Sequence, residues 1–468
     1  MSTAGASSNG RVIIVGGGIT GLSAAWRLHR AGVPFLLLES SDRWGGKIRT
    51  EHVDGYTLEM GADAFLLRKP WARQLAAELG LDERVQPVNR PPVSTYVLHR
   101  GKPVPLPDGL ALLVPSRWGP FARSPLFTPW GKARAALDLV LPRRRNEDDE
   151  TLASFITRRL GREMLEKVAE PMLAGVFNGE ADRQSMQATF PQFPALEREY
   201  GSLIRGIRAK RAASASTDAQ PFFSFMAGAQ EMVDAIVRQL PSSSLRLNAP
   251  VARVEVIEDG AQVILRTGET LEGAAALLAT SASFAAAAIE GSLPDAARAL
   301  REIRYTGIGT AYLAYRREHV PHPLDAYGVV IPSRERRSID GMTWTTTKWS
   351  GRAPEGHMLI RVFFGGPHTR ASIAMSDGDL QRMIQRELAE ILGVHADPML
   401  WRVHRWHDAY PQYDLGHIGR VSRIERALPP EVVVAGSAYR GVGVPDCVRQ
   451  GNEAADRIIH LLRREPAA

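Results

Sequence analysis

A chain of 468 residues, 44% hydrophobic and 23% charged, is too long for one compact core and reads as a globular protein of two or three domains, neither disordered nor fibrous. The net charge of +7 and isoelectric point near 9.6 suit an acidic small molecule, a membrane surface or nucleic acid, but no Lys/Arg block dominates and no zinc-finger, RRM or helix-turn-helix pattern occurs, so nucleic acid is not expected. The single cysteine, Cys447, excludes an internal disulfide and a cysteine-based metal site and fits a reducing cytoplasm.

In chain order, the lead-in MSTAGASSNG is small and polar and reads as disordered, without targeting character. Val12 to Val15 form a continuous apolar run, a buried strand. Gly16, Gly18 and Gly21 follow at G-x-G-x-x-G spacing, with Gly17, Ile19 and Thr20 between them. Ala24, Ala25, Leu28 and Ala31 recur at helical period until Gly32 and Pro34 stop the helix. FLLLE is a second buried strand ending in Glu39. In such a unit the first glycine makes a tight turn, the second lets backbone approach a pyrophosphate, and the third lets helix pack on strand. The pyrophosphate sits on the helix N-terminus and the acid accepts from ribose hydroxyls. A glycine turn that holds nothing is the alternative, and strand, helix and acid in register argue against it.

After Ser40, DRWGGKIRT pairs Gly45 with Gly46. Residues from about 70 to 210 look helical, with PRRRNEDDE (Pro142 to Glu150) as an exposed charged turn before a helix starting near Thr151. Within them, Leu110 to Pro142 mixes apolar and aromatic residues with Arg and Lys. It fits either helices packed on their own domain or a membrane-surface element, and its prolines, which break a long amphipathic face, favour the packed helices. KRAASASTDAQP (Lys210 to Pro221) reads as a mobile linker. The alternation from Ser244 to Gly273 predicts a three-stranded antiparallel meander. GAAALLATSASFAAAAI is too short and weakly apolar to span a membrane, and reads as a strand from Ala276 to Ala279, a turn and a helix. The strands TAYLAYR, YGVVIP, GMTWTT and HMLIRVFFGG surround a helix from Asp377 to Leu392, a second mixed sheet placed to receive substrate. EVVVAGSAYRGVGVPDC is again strand, glycine turn, helix. The expected class is α/β with a mixed α+β remainder. A discontinuous Rossmann-type nucleotide domain takes 10–90, 222–292 and 428–466, a mainly helical insertion takes 91–221, and a substrate-binding mixed-sheet domain takes 293–427.

The second glycine pair points to the cofactor. A nicotinamide needs only the first turn. A flavin dinucleotide lies extended and needs a second backbone approach after the first acid, a meander on the adenine side and a C-terminal turn at the isoalloxazine. Val442, Gly443 and Val444 supply that turn at a helix N-terminus.

The motifs GGGITGLSAA, DRWGGKIRT, GADAFLLRK, PMLAGVFNGE, TFPQF, SLIRG, HRWHDAYPQYDLGH and GVGVPDC occur in order along nearly the whole chain. On them the chain resembles the flavin-dependent amine oxidase superfamily and, within it, the porphyrinogen oxidases. The resemblance implies FAD, held by Gly16 to Gly21, Glu39 and Ser40, with Arg43, Gly45, Gly46 and Lys47 on the ribityl side. Gly61, Ala62, Asp63 and Ala64 would pass beside the isoalloxazine, Val251 would meet adenine through its backbone, and Trp406 with Val442 to Val444 would close the site. Trp406 reads equally as a core aromatic. The Gly175 carbonyl would face the reacting carbon, with no side chain as acid or base and no metal. The implied chemistry is six-electron oxidation of a porphyrinogen by O2, with peroxide as by-product, in haem biosynthesis, in the cytoplasm, with transient membrane contact and hand-over to a ferrochelatase as implied partners.

Thr95 stands where protoporphyrinogen enzymes often carry an arginine, and Arg68 and Lys69 stand where Gram-positive coproporphyrinogen oxidases carry bases. Two adjacent bases suit substrate carboxylates; a solvated charge pair ahead of the Trp71 helix is the other reading. Coproporphyrinogen III is therefore the expected substrate and protoporphyrinogen IX the alternative. An amine oxidase of the same fold, or a flavin- or porphyrin-binding carrier, are the remaining readings. The context VPDCV does not resemble a covalent flavin attachment, so Cys447 is expected to be a packed or flavin-adjacent thiol.

Overall fold

Val12–Val15 lies at the centre of a five-stranded parallel sheet in the order Leu245–Arg246, Phe35–Leu38, Val12–Val15, Ala275–Leu278, Val432–Val434. The computed structural model describes residues 10–111, 113–146, 148–213 and 222–463. The lead-in before Gly10 and most of the Lys210–Pro221 segment lie outside the described residues; the rest of that segment closes the helix Leu203–Ala213.

The sheet explains its own apolar runs. Ile14, Leu37 and Leu277 point to one face, where Ile19–Arg30, Gln230–Gln239 and Val444–Arg463 pack. Ile13, Leu38 and Leu278 point to the other, covered by the meander and by Ala282–Ile289. A strand buried on both faces has no polar side, hence no alternation. Each such Ile or Leu contributes roughly 1.5–3 kcal/mol of burial.

The meander is Val251–Ile257, Gly260–Leu265 and Thr270–Gly273, antiparallel throughout. Ala282–Ile289 is capped by the Ser281 hydroxyl, which accepts from the Phe284 N–H.

A seven-stranded sheet forms the second body, in the order Leu400–Pro411, Tyr305–Arg316, His357–Phe364, Gly341–Trp344, Gly328–Val330, Tyr96–His99, Lys102–Pro105. Its last two strands correct the expected limits of the helical insertion. Tyr96–His99 pairs parallel with Gly328–Val330, because YVLH and KPVP close a hairpin over Arg100 and Gly101 whose exposed edge the sheet then uses. Two helices assigned to the substrate domain, Pro294–Arg301 and His417–Ala427, instead share the core of the parallel sheet. Asp377–Leu392 covers one face of the seven-stranded sheet, capped by Ser376 and ended by Gly393 in the left-handed region.

Between Leu110 and Pro142 the described residues form a short antiparallel pair, Leu110–Ala111 with Val114–Pro115, and the short helices Trp118–Arg123 and Pro129–Ala136. Val114, Phe121, Leu126 and Phe127 enter a core with Leu152–Leu160, while Trp130, Leu137 and Val140 face solvent.

Candidate functional site

The first glycine turn sits where Val12–Val15 ends. A Cβ on Gly16, at φ +109°, would stand 2.6 Å from the Ala279 carbonyl oxygen, and one on Gly21 would stand 2.0 Å from the Gly16 carbonyl oxygen. Gly18 differs: nothing lies within 4 Å of its Cβ direction, so the N-terminus of Ile19–Arg30 opens on free space. That helix has no acid in its first turn, and Gly18 offers no side chain to cap it. An open helix N-terminus with unmet N–H groups is the cradle a pyrophosphate fits. Glu39 closes the turn from the side: its carboxylate accepts from the Gly17 N–H at 2.7 Å and the Ser41 N–H at 2.8 Å, and Ser40 Oγ donates to it at 3.1 Å.

The second glycine pair lies directly against the first. The Gly45 N–H donates to the Gly17 carbonyl at 2.9 Å, and Gly18 and Gly45 form an isolated parallel bridge. Arg43 is engaged in holding this loop, donating to the carbonyls of Gly46, Trp44 and Ile48. Lys47 reaches the Ala409 carbonyl, and burial pushes its ammonium pKa down. Asn248 and Ala249 donate to the Ser41 and Glu39 carbonyls, so the start of the Val251 strand lies beside Glu39.

The run Gly61 to Ala64 is held from the seven-stranded sheet. Trp406 Nε1 donates to the Met60 carbonyl at 2.7 Å, and Arg361 Nη2 donates to the Gly61 carbonyl at 2.7 Å. Asp63 pairs with Lys348 Nζ at 2.7 Å, with Trp349 Nε1 at 3.4 Å and Arg361 at 3.8 Å. Burial opposes the charge on Asp63, but the Lys348 and Arg361 cations outweigh it and hold the carboxyl well below the usual range. The Trp406 indole is half-buried with its N–H satisfied, and His404 meets its ring edge at 4.3 Å between centroids.

At the C-terminal turn, Val444 opens the helix Val444–Arg463, and Asp446 lies in its first turn. Lys69 Nζ donates to Asp446 Oδ2 at 2.6 Å. Lys69 is thus tied to the C-terminal helix by a buried carboxylate, and its neighbour Arg68 is exposed, with no ion-pair partner among the described residues. The Tyr413 hydroxyl donates to the Ser437 carbonyl and accepts from the Gly441 N–H at 2.7 Å, fixing the turn from beneath. Cys447 is buried, and that burial pushes its thiol up to about 11, so it is protonated at neutral pH. Gly175 lies in the helix Glu170–Phe177. The Thr95 carbonyl accepts from the Leu106 N–H beside Tyr96–His99. His404 and His407 lie on the sheet's edge strand, and no cluster able to hold a metal ion occurs among the described residues.

Sequence reasoning missed Lys348, Trp349, Arg361, Tyr413 and Asp446. Arg361 carries a legible signal: a lone cation inside HMLIRVFF is intolerable in a buried strand without a partner. Lys348 and Trp349 carry none, because their partner lies 285 residues away from Lys348 in sequence.

A doubly covered parallel sheet, a glycine cradle open at its C-terminal edge and a second sheet pinned against the same edge give the architecture of a dinucleotide-binding protein. The chain belongs to the family of flavin containing amine oxidoreductases, whose profile matches residues 19–459. It is similar to a coproporphyrinogen III oxidase of Bacillus subtilis, 34% identical over 96% of this chain and 98% of that protein. A coproporphyrinogen III oxidase of Propionibacterium freudenreichii is 33% identical over 99% of this chain and 93% of its own length. Among solved structures, one from Exiguobacterium sp. 255-15, provisionally assigned as a protoporphyrinogen oxidase, aligns with a TM-score of 0.86 at 31% identity, covering 97% of this chain and 99% of that one. The chain is accordingly a flavoprotein oxidoreductase.

Proposed function

We propose that the chain is an FAD-dependent oxidase of coproporphyrinogen III in haem biosynthesis, producing coproporphyrin III. Near-complete overlap with two proteins named coproporphyrinogen III oxidase carries the reading. Bound FAD would supply a two-electron oxidation, repeated three times, each reducing one O2 to hydrogen peroxide. Gly16 to Gly21 would bind the pyrophosphate and Glu39 the ribose. Gly45, Gly46 and Lys47 would run along the ribityl chain. Gly61 to Ala64, held rigid by Arg361 and Lys348, would form one wall, and Trp406 with Val442 to Val444 the other. The Gly175 carbonyl would position the reacting carbon, and Val251 would meet adenine. Arg68, exposed and with no ion-pair partner among the described residues, would receive a propionate; Lys69 would share its charge between Asp446 and substrate. The cytoplasm, whose reducing conditions suit a chain with a single free cysteine, is the proposed location; among the described residues no helix is long and apolar enough to cross a membrane.

Anaerobic mixing with each porphyrinogen tests this. Bleaching of the flavin bands by coproporphyrinogen III faster than by protoporphyrinogen IX is expected, with porphyrin fluorescence following on admission of O2. Turnover of protoporphyrinogen IX alone would replace the substrate while leaving the oxidase intact. The Exiguobacterium neighbour supports that second reading.

A further inference from the structure

Gln412 and Asn178 are buried, at 4% and 3% exposure, and lie against one another although 234 residues apart in sequence. They belong to the runs HRWHDAYPQYDLGH and PMLAGVFNGE, which also carry Trp406 and Gly175. Gly175 lies in the last turn of the helix Glu170–Phe177, and the final carbonyls of a helix have no partner within it. Here they are met from the seven-stranded sheet. Gln412 Nε2 donates to the Phe177 carbonyl at 3.2 Å and to the Asn178 carbonyl at 3.4 Å. It shares its two N–H bonds with Thr306 Oγ1 at 2.9 Å and the Tyr410 carbonyl at 3.1 Å. Thr306 Oγ1 in turn donates to the Asn178 carbonyl at 3.1 Å. Asn178 stands at φ +47°, in the left-handed region that ends a helix and turns the chain aside. Its Nδ2 donates to the Gly307 carbonyl at 2.8 Å, where the pairing of Tyr305–Arg316 with Leu400–Pro411 shifts register.

The next residue, Tyr413, grips the same helix end from its side. Its ring packs on Phe177 at 5.6 Å between centroids, and its hydroxyl bonds the Ser437 carbonyl and the Gly441 N–H. Gln412 and Tyr413 thus join the helix of Gly175 to the glycine turn ahead of Val442–Val444. At its other end the helix follows a widened π turn, Leu165–Ala169, and Glu170 meets the exposed His368 ring at 2.9 Å. An exposed pair of that kind holds a helix weakly. The buried end therefore fixes where Gly175 stands.

We propose that Gln412 is a positioning residue for the oxidation, resting on the proposed function, in which the Gly175 carbonyl faces the reacting carbon. Its carboxamide sets how far that carbonyl stands from the flavin turn. It acts through the helix end, and a shift of about 1 Å in an aligned site costs up to about a hundredfold in rate.

The test uses the full-length, FAD-loaded protein. Gln412→Met keeps the length of the side chain and removes its donors. Thr306→Val keeps the shape and removes the hydroxyl on which both amides converge. Each should lower kcat for porphyrinogen oxidation by about tenfold to a hundredfold, with KM within about twofold of wild type. Flavin content and absorbance should be unchanged, because the glycine cradle is untouched. The double variant should fall no further than the worse single one, since both break one network. Amide exchange read by mass spectrometry should quicken at least about fivefold in residues 171–179 and stay unchanged in residues 12–30. Thr306→Val carries the test by itself where Gln412→Met fails to fold. Variants that melt lower yet keep the wild-type kcat would overturn the proposal and leave the amide as packing, as would losses of rate that track lost flavin. Rates are taken with whichever porphyrinogen the wild type oxidises, so a change of substrate leaves the comparison standing. A wild type that oxidises neither would end the proposed function and this proposal with it.

Discussion

Two strand–glycine turn–helix units stand on the same sheet and differ in how their helix N-termini are satisfied. Ile19–Arg30 has no acid in its first turn, and the space beyond Gly18 is open. Val444–Arg463 carries Asp446 in its first turn, buried and paired with Lys69. One unit leaves its dipole for an anion to be bound; the other contains the anion already. The same local sequence grammar thus builds one helix N-terminus open to an anion from outside and another that carries its own carboxylate.

The largest test of this contrast is Gly18→Val. The position has φ −73°, which any residue adopts, and a Cβ there meets nothing within 4 Å, so the fold should be kept. The branched side chain would fill the cradle. Flavin retention should fall at least about a hundredfold, a loss of roughly 2.7 kcal/mol or more, read as loss of absorbance in the visible flavin bands with unchanged circular dichroism. A Gly18→Val protein purified with full yellow colour would sink the assignment of the cradle. Glu39→Ala comes next. It removes an acceptor for two backbone N–H groups and for the ribose, and should weaken flavin binding by about 1.5–3 kcal/mol, measured by titration of apoprotein with FAD.

Carboxyls without a cation sharpen the contrast. Glu59 is buried, accepts from the Ala229 N–H and the Thr50 hydroxyl, and has no ion-pair partner among the described residues; burial raises it to about 7. Its folded pKa lies above the unfolded one, so its stabilising contribution is complete below about 4.5 and is lost as pH rises through about 7. His417 runs the other way. Burial lowers it to about 4, so its contribution is present above about 6.5 and lost as pH falls through about 4. Glu59→Gln should flatten the fall in unfolding free energy between pH 5 and pH 8 by on the order of 1–3 kcal/mol. Denaturant titrations at the two pH values check it, and an unchanged slope would reject Glu59 as the source.

The smallest effect is expected at Lys69. Lys69→Ala strands the Asp446 carboxylate at the helix N-terminus, which itself favours a negative charge, and the lysine is partly exposed. The loss of stability should be about 1 kcal/mol, recovered in part by adding Asp446→Asn. Steady-state kinetics should show kcat/KM for coproporphyrinogen III falling several-fold more than for protoporphyrinogen IX, which carries two fewer carboxylates. Equal losses on both substrates would make Lys69 a structural residue only.

Much was legible because it is local. Glycine spacing, apolar runs and the acid after the second strand belong to one βαβ unit of fewer than thirty residues, from Val12 to Glu39, and steric rules within that unit leave few arrangements. The helix Asp377–Leu392 was readable to the residue, since the Ser376 cap and Gly393 stop are written beside it. The strands of the second sheet were readable as strands, but their order was not: Tyr96–His99 joins Gly328–Val330 across more than two hundred residues, and no local pattern encodes that partner.

The sequence by itself determined the parallel sheet and the glycine turn that opens its first helix, because each depends on backbone conformation over a few neighbouring positions. Tertiary structure alone decided what the charged side chains do. Arg43 holds a loop, Asp63 is clamped by Lys348 and Arg361, Lys69 belongs to Asp446, and Trp130 faces outward. A charge interacts with whatever lies within a few ångströms of it, and a side chain's burial depends on everything packed around it. Both are properties of the assembled fold, with partners up to 429 residues apart.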